Sequence, residues 1–130
     1  DGTQVRNWTH VDDIVSGTIL AAEEVDDGTA INLGTMERIR VIDAASMVLE
    51  MTGHKAEIRL LPDMPTGPIN RVADNSLAKR LLKWEPQVMF REGLRRTIDW
   101  YYQNKDRELV KHILQGGGFI ARNVPTSAPP

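Results

Sequence analysis

Cysteine is absent from the sequence, so disulfide bonds and thiolate chemistry are excluded. There is also no apolar run near the roughly 20 residues that a membrane-spanning helix needs, and the first residues do not have the form of a signal peptide. An excess of positive charge is missing too, because the net charge is −2, whereas a nucleic-acid-binding surface needs clustered basic residues. We therefore expect a cytoplasmic protein that has neither a membrane nor a nucleic acid as its partner.

The composition of the 130 residues is that of one ordinary globular domain. Hydrophobic residues make up 41% of the chain and charged residues 26%, which is typical of a protein that folds in water around an apolar core. The length is enough for one such core but not for two.

The stretch Asp1–Asp13 places a cation on an extended segment that leads directly into a helix. Residues of unlike character alternate within it, which predicts a strand with two different faces. Thr9 and Asp12 have the spacing of a capping box, and a helix is predicted from Val11 to Glu24. Arg6 is therefore expected on a rigid element, where its planar guanidinium can make a two-point contact with phosphate oxygens.

Two further strands and a second helix are predicted before residue 61. Ala30–Gly34 is short and mostly apolar, as in strands that are covered on both faces, and Ala56–Leu60 alternates as a half-exposed strand does. Apolar positions from Ile39 onward lie on one helical face, and Gly53 stands where a left-handed C-terminal cap is expected. The order of these elements favours an α/β layer arrangement.

The second half of the chain is predicted to hold a proline-rich loop and two more helices. The loop at residues 62–68 contains three prolines and leads directly to Arg71. A helix capped by Asp74 or Ser76 should follow, and the last clear helix should begin near Phe90. The residues predicted to form the core are Ile31, Leu33, Val48, Leu49, Ile58, Leu81, Trp84, Leu94 and Trp100.

Several short motifs occur in an order that is similar to a known family. They are Gln4-x-Arg6, His10-Val-Asp-Asp13, Asn32-Leu-Gly34, Arg71-x-x-Asp74, Leu82-x-Trp84-x-Pro86, Glu92-Gly-Leu94 and Trp100. Over nearly all of residues 1–103, the chain resembles the C-terminal, substrate-binding half of NAD-dependent nucleotide-sugar epimerases and dehydratases, in the extended short-chain dehydrogenase/reductase family. The resemblance implies an α/β fold of about four helices and a few short strands without the cofactor-binding Rossmann half.

The resemblance also implies a ligand site. Arg6 and Arg71 would hold the diphosphate of a nucleoside-diphosphate sugar, with Asn32 and the loop at 62–70 near the nucleotide. From the residues alone, Asn32 and Gly34 are explained as well by a strand that ends in a glycine turn. The expected domains are a nucleotide-sugar substrate-binding domain at residues 1–115 and a glycine hinge with a disordered tail at 116–130.

No catalytic residue and no metal site are predicted in this chain. Members of the family carry a glycine-rich cofactor loop and a Tyr-x-x-x-Lys pair upstream of the region that matches here, so NAD(P) is implied for the full-length protein and not for these residues alone. Tyr101 and Lys105 repeat that spacing but follow the terminal tryptophan, Trp100, and Gly116–Gly118 lacks the Gly-x-Gly-x-x-Gly form. His10 is expected to cap or pack rather than to bind a metal.

Two hypotheses of function remain open. The chain is the nucleoside-diphosphate-sugar-binding part of an epimerase or dehydratase and is incapable of hydride chemistry alone, or it is a non-catalytic association domain that keeps the fold. In the family, the Ala30–Gly34 strand and the first helix pack on the cofactor domain, so self-association is expected where that domain is missing. A nucleic-acid site at Arg91, Arg95 and Arg96 is disfavoured because acidic residues lie among them.

Overall fold

The chain alternates very short strands with helices in the computed structural model, which describes residues 1–65 and 67–115. The strands are β1 (Val5–Arg6), β2 (Ile39–Arg40) and β3 (Asn70–Arg71). The helices are α1 (Val11–Glu24), α2 (Val41–Thr52), α3 (Ser76–Leu82), α4 (Phe90–Asn104) and α5 (Arg107–Gln115). The predicted α/β class is confirmed, with α5 as a fifth helix in the described residues. The described residues divide into two compact units, the first at Asp1–Thr97 and the second from Ile98 onward.

The three strands form one small sheet with β1 in the centre and the order β2-β1-β3. β1 runs antiparallel to β2 and parallel to β3. In this register Arg6 lies opposite Ile39 on one side and opposite Arg71 on the other. The sheet therefore brings together parts of the chain that are far apart in sequence.

Helix α1 has the predicted bounds but not the predicted cap. Its N-cap residue is His10, whose Nδ1 accepts a hydrogen bond from the backbone N–H of Asp12 at 3.3 Å. The predicted capping box is wrong because the Thr9 hydroxyl accepts instead from the backbone N–H of Thr35 at 3.0 Å. The capping role expected of His10 is confirmed.

One of two other predicted helix ends follows its sequence signal. Gly53 forms the C-cap of α2 with a φ of 66°, so the predicted left-handed cap is confirmed. The predicted cap of α3 by Asp74 or Ser76 is wrong, because its N-cap residue is Asn75, which makes no side-chain cap hydrogen bond. The Asp74 carboxylate still accepts from the backbone N–H of Ser76 at 2.9 Å and so satisfies one of the helix donors from one residue earlier.

The core is built around Trp84, which is 3% exposed and packs with Ala78 and Leu82 of α3. Its indole Nε1–H donates to the backbone oxygen of Asp13 at 3.1 Å and to the Ser16 hydroxyl at 3.0 Å, so the tryptophan joins α3 to α1. The partly buried residues packed on this cluster are Leu20, Ala21, Val25, Ile31 and Leu33. The predicted core positions of Trp84, Ile31 and Leu33 are thus confirmed.

Three predicted core residues are wrong. Leu81 is exposed because Ala78 and Leu82, four residues apart, take the buried face of α3. Val48 is exposed on α2, to the side of the partly buried positions. Trp100 is 52% exposed, and its ring lies under the Lys105 ammonium at 5.1 Å instead of in the core.

The two predicted strands outside the sheet are also wrong. Residues 30–34 and 56–60 are all described and have no regular secondary structure. A strand needs a neighbour with which to exchange hydrogen bonds, and in the described residues neither segment pairs with β1, β2 or β3. Leu33 still packs on the core without strand pairing. The predicted glycine hinge and disordered tail at 116–130 lie outside the described residues.

Candidate functional site

Arg6 and Arg71 lie side by side in the parallel pair of β1 and β3. Residues in register on neighbouring strands share a face of the sheet, and the strands lie about 4.8 Å apart. The residue opposite Arg6 on its other side is Ile39, which carries no charge. Two guanidinium-bearing residues therefore occupy adjacent positions on one face.

The guanidinium of Arg6 is anchored to backbone carbonyls. Its Nη1 donates to the Val5 oxygen and to the Pro68 oxygen, each at 2.8 Å. Pro68 belongs to the proline-rich loop that leads into β3, so the side chain links β1 to that loop. Arg6 is half-buried, and its orientation is set by these contacts.

The side chain of Arg71 is exposed, and it makes no hydrogen bond or ion pair within the described part of the chain, although its backbone pairs with β1. A third cation lies nearby, since Arg38 Nη1 donates to the side-chain oxygen of Asn70 at 3.1 Å. Asn70 is in register with Val5 and so belongs to the opposite face from Arg71. The sequence offered no signal for Arg38 beyond its charge, because this contact crosses 32 residues of chain.

Asn32 is exposed and makes no hydrogen bond with another described residue. The segment after it passes close to the two arginine-bearing strands, because a Cβ on Gly34 would lie 2.7 Å from Asn7 Nδ2 and 2.8 Å from the Cβ of Ala73. Gly34 is buried and its φ is not positive, so the glycine serves close packing rather than a left-handed turn. Of the two residues closest to Gly34, Asn7 directly follows Arg6 and Ala73 stands two residues after Arg71.

An open, mostly apolar cleft of about 400 Å³ lies beside β1. Its walls come from the start of α1 and the N-terminal part of α4, and the rings of Trp8 and Phe90 stand 6.0 Å apart in it. The lining residues are Trp8, Thr9, His10, Val11, Val88, Met89, Phe90, Gly93, Leu94 and Thr97. The lining of this cleft suits an apolar part of a ligand. None of its lining residues carries a carboxylate or a guanidinium.

The arginines of α4 are held by carboxylates. Arg91 makes a two-point contact with Glu50 of α2, with its Nη2 at 2.6 Å from Oε1. Arg95 and Arg96 both donate to Glu92 at 2.8 Å, and these hydrogen bonds, Arg95 first, lower the pKa of Glu92 to about 2. Each of these cations has an acidic neighbour, which argues against a phosphate-binding surface here.

Three further features bear on function: a possible metal site, a possible membrane-spanning helix and the Tyr-x-x-x-Lys string. Among residues 1–65 and 67–115, no group of three or more His, Asp or Glu side chains is placed to hold a metal ion. Within the same ranges, no helix is both long enough and apolar enough to cross a membrane. In the Tyr-x-x-x-Lys string, the Lys105 ammonium lies over the Trp100 ring, and the centroids of the Tyr101 and Tyr102 rings are 5.9 Å apart.

The chain matches known proteins over most of its length. A family model described as GDP-mannose 4,6 dehydratase matches residues 1–97. UDP-glucuronate 4-epimerase of Thermodesulfobacterium geofontis is 39% identical over 114 residues, which are 87% of this chain and 34% of that protein.

Solved structures agree with these matches. An epimerase of Methanothermobacter thermautotrophicus is 37% identical, with a TM-score of 0.77 over 85% of this chain and 33% of that one. UDP-glucuronic acid 4-epimerase of Bacillus cereus, solved with UDP-glucuronic acid and NAD, is 34% identical, with a TM-score of 0.71 over 81% and 34% of the two chains. This chain thus spans about a third of the length of these proteins. It belongs to the GDP-mannose 4,6 dehydratase family, among the NAD-dependent nucleotide-sugar epimerases and dehydratases of the extended short-chain dehydrogenase/reductase fold.

Proposed function

We propose that this chain binds the diphosphate of a nucleoside-diphosphate sugar and serves as the substrate-binding part of a sugar epimerase or dehydratase. The observation that carries the proposal is the register of β1 and β3, in which Arg6 lies directly opposite Arg71. Two neighbouring cations repel each other, and phosphate oxygens placed between them would turn this repulsion into attraction. Asn32 and the proline-rich loop would stand at the nucleotide.

The class of ligand is supported by the similar structures. The Bacillus cereus epimerase was solved with UDP-glucuronic acid, and an epimerase of Thermotoga maritima was solved with UDP-glucose. Both ligands carry a diphosphate between the base and the sugar, and phosphate oxygens match the two-point hydrogen bonding of guanidiniums. UDP-sugars are therefore the first probes, and GDP-mannose is the second because of the family model.

The hydride chemistry of the family is not assigned to these residues. A nicotinamide dinucleotide needs a Gly-x-Gly-x-x-Gly turn between a strand and a helix, and the sequence contains no such spacing. The residues present do not fit that cofactor. In a full-length family member, other segments would bind NAD, and this chain would hold and orient the substrate.

A second function, protein association, is favoured by one feature of α1. Its apolar residues Val11, Val15 and Ile19, here called the α1 stripe, are each more than half exposed. They follow one another at four-residue spacing and so form a continuous apolar strip along the helix. The proposed association domain would use this strip, whereas the proposed sugar-binding part would use the arginine pair.

The two functions are separated by measuring the affinity of UDP-glucose, UDP-glucuronic acid and GDP-mannose for wild type, Arg6→Ala and Arg71→Ala. A charge-assisted hydrogen bond contributes about 1.5–3 kcal/mol, so each substitution should weaken binding by roughly tenfold or more. Arg80→Ala is the matched control, because it removes the same charge from an exposed position on α3. It should leave affinity within about twofold.

Equal losses in all three variants would mean that only net charge matters and would contradict the proposed pair. If none of the nucleotides binds wild type at millimolar concentration, the association function becomes the better explanation.

A further inference from the structure

The proline-rich loop and Arg6 are in direct contact, although they are 62 residues apart in sequence. Nη1 of a guanidinium carries two N–H donors, and in Arg6 they have two backbone acceptors, the Val5 and Pro68 oxygens. Because the guanidinium is planar, holding one nitrogen at two points sets the direction of the whole group. The loop therefore helps to fix the orientation of the Arg6 guanidinium.

Gly67 gives the loop the path that brings the Pro68 carbonyl to Arg6. Its φ of 65° lies in the left-handed region, where an L side chain is strained. A Cβ at this position would have Arg6 Nη2 at 3.9 Å, which is ordinary van der Waals contact. Substitution of Gly67 would thus act through the backbone of the loop and not through a collision with Arg6.

We infer that Gly67 and the Pro68 carbonyl are a positioning element that holds the Arg6 guanidinium in the direction needed for a diphosphate. The inference rests on the proposed function, since it assumes that Arg6 contacts the ligand. Ordering a long side chain on binding costs about 0.5–1.5 kcal/mol, so a side chain that is already held binds roughly two- to tenfold more tightly. The loop would supply this advantage through its hydrogen bond with Arg6, separately from any contact that it makes with the nucleotide.

Gly53 offers a matched control. Its φ of 66° is nearly the same as that of Gly67, and a Cβ there would have no atom within 4 Å. Gly53 lies at the C-terminal cap of α2 and so has no contact with the proline-rich loop through its own Cβ position. Gly67→Ala and Gly53→Ala should therefore carry similar backbone strain, and only the first should alter Arg6.

The first test uses the 130-residue chain without ligand. Hydrogen exchange of the Arg6 guanidinium protons is followed by NMR in wild type, Gly53→Ala and Gly67→Ala. We expect slowed exchange in wild type and Gly53→Ala, and exchange about two- to tenfold faster in Gly67→Ala, from a loss within the range given above. Unchanged protection in Gly67→Ala would overturn the inference whether or not a ligand binds.

The second test is a double-mutant cycle with inorganic pyrophosphate and UDP-glucose as probes. Gly67→Ala should weaken binding by about two- to tenfold in the wild-type background and have no further effect in the Arg6→Ala background. Gly53→Ala should change neither. The same weakening in both backgrounds would show that the loop acts independently of Arg6, which overturns the inference and leaves the proposed function standing.

Two further outcomes complete the design. If Arg6→Ala itself leaves binding unchanged, the proposed function and the inference both fail. If Gly67→Ala does not fold, Pro68→Gly takes its place, because it loosens the same carbonyl without placing a side chain at the left-handed position. Tight binding and protected Arg6 protons in Pro68→Gly would then overturn the inference.

Discussion

Trp84→Ala should remove a large part of the stability of the first compact unit, residues 1–97. The side chain is 3% exposed, and its Nε1–H bridges to Asp13 and Ser16 of α1. Truncating a buried tryptophan to alanine costs about 3–5 kcal/mol, against a total of about 5–15 kcal/mol for a domain. For a unit of this size, 1 kcal/mol corresponds to about 4–8 °C, so the melting temperature should fall by at least about 12 °C.

The assay is thermal unfolding followed by circular dichroism, with Trp100→Ala as the matched control. Trp100 is the same residue type but is 52% exposed and contacts Lys105, so its loss should lower the melting temperature by only a few degrees. Trp84→Phe keeps an aromatic ring and loses the N–H donor, and it should fall between the two. Equal melting temperatures for Trp84→Ala and Trp100→Ala would refute the assignment of the core to Trp84.

Three other perturbations test separate parts of the structure. Gly34→Ala should lose about 1–3 kcal/mol of stability because the added Cβ crowds Asn7 and Ala73; a free energy of unfolding equal to that of wild type in chemical denaturation would argue against close packing there. The Glu92 carboxyl should titrate near 2, below its ordinary 4.5, so its ion pairs stabilise the fold above pH 4.5 and are lost as the pH falls towards 2; an NMR titration midpoint near 4.5 would contradict this. Self-association through the α1 stripe should appear in light scattering and weaken in Val15→Gln, and a strict monomer at high wild-type concentration would exclude it.

Helices were predictable from the sequence because their signals are local. Apolar spacing predicted the bounds of α1, and Gly53 marked the end of α2 through its left-handed conformation. Strands were predictable only in part, because a strand exists only where another strand exchanges hydrogen bonds with it. The strand predicted around Arg6 is β1, whereas the segments at 30–34 and 56–60 are not strands. The apolar run at 30–34 therefore packs on the core through Leu33 without joining the sheet.

Residue type also could not predict which of the two tryptophans, Trp84 or Trp100, is buried. Trp84 follows α3, where its ring reaches α1 and the α3 cluster, whereas Trp100 lies in the second compact unit and stacks with a nearby lysine. Their surroundings, not their hydrophobicity, decide which one is buried.

The candidate site was only partly predictable. The motifs pointed to Arg6 and Arg71 through a resemblance, while their register depends on the parallel pairing of β1 with β3. The anchoring of Arg6 by the Pro68 carbonyl had no sequence signal, because a backbone acceptor looks the same at every residue. The role of Asn32 stays a prediction.

The most direct test of the proposed diphosphate site is chemical-shift mapping of the 15N-labelled chain with inorganic pyrophosphate and UDP-glucose. Both probes should shift the same signals, those of β1, β3 and the side chains of Arg6 and Arg71, because the diphosphate is their shared group. Arg71→Ala should weaken the affinity obtained from both sets of shifts by roughly tenfold or more, and Arg80→Ala should leave both affinities within about twofold. Shifts that map instead to the Trp8 and Phe90 cleft, occur with UDP-glucose alone and persist in Arg71→Ala would contradict a diphosphate site between the two arginines.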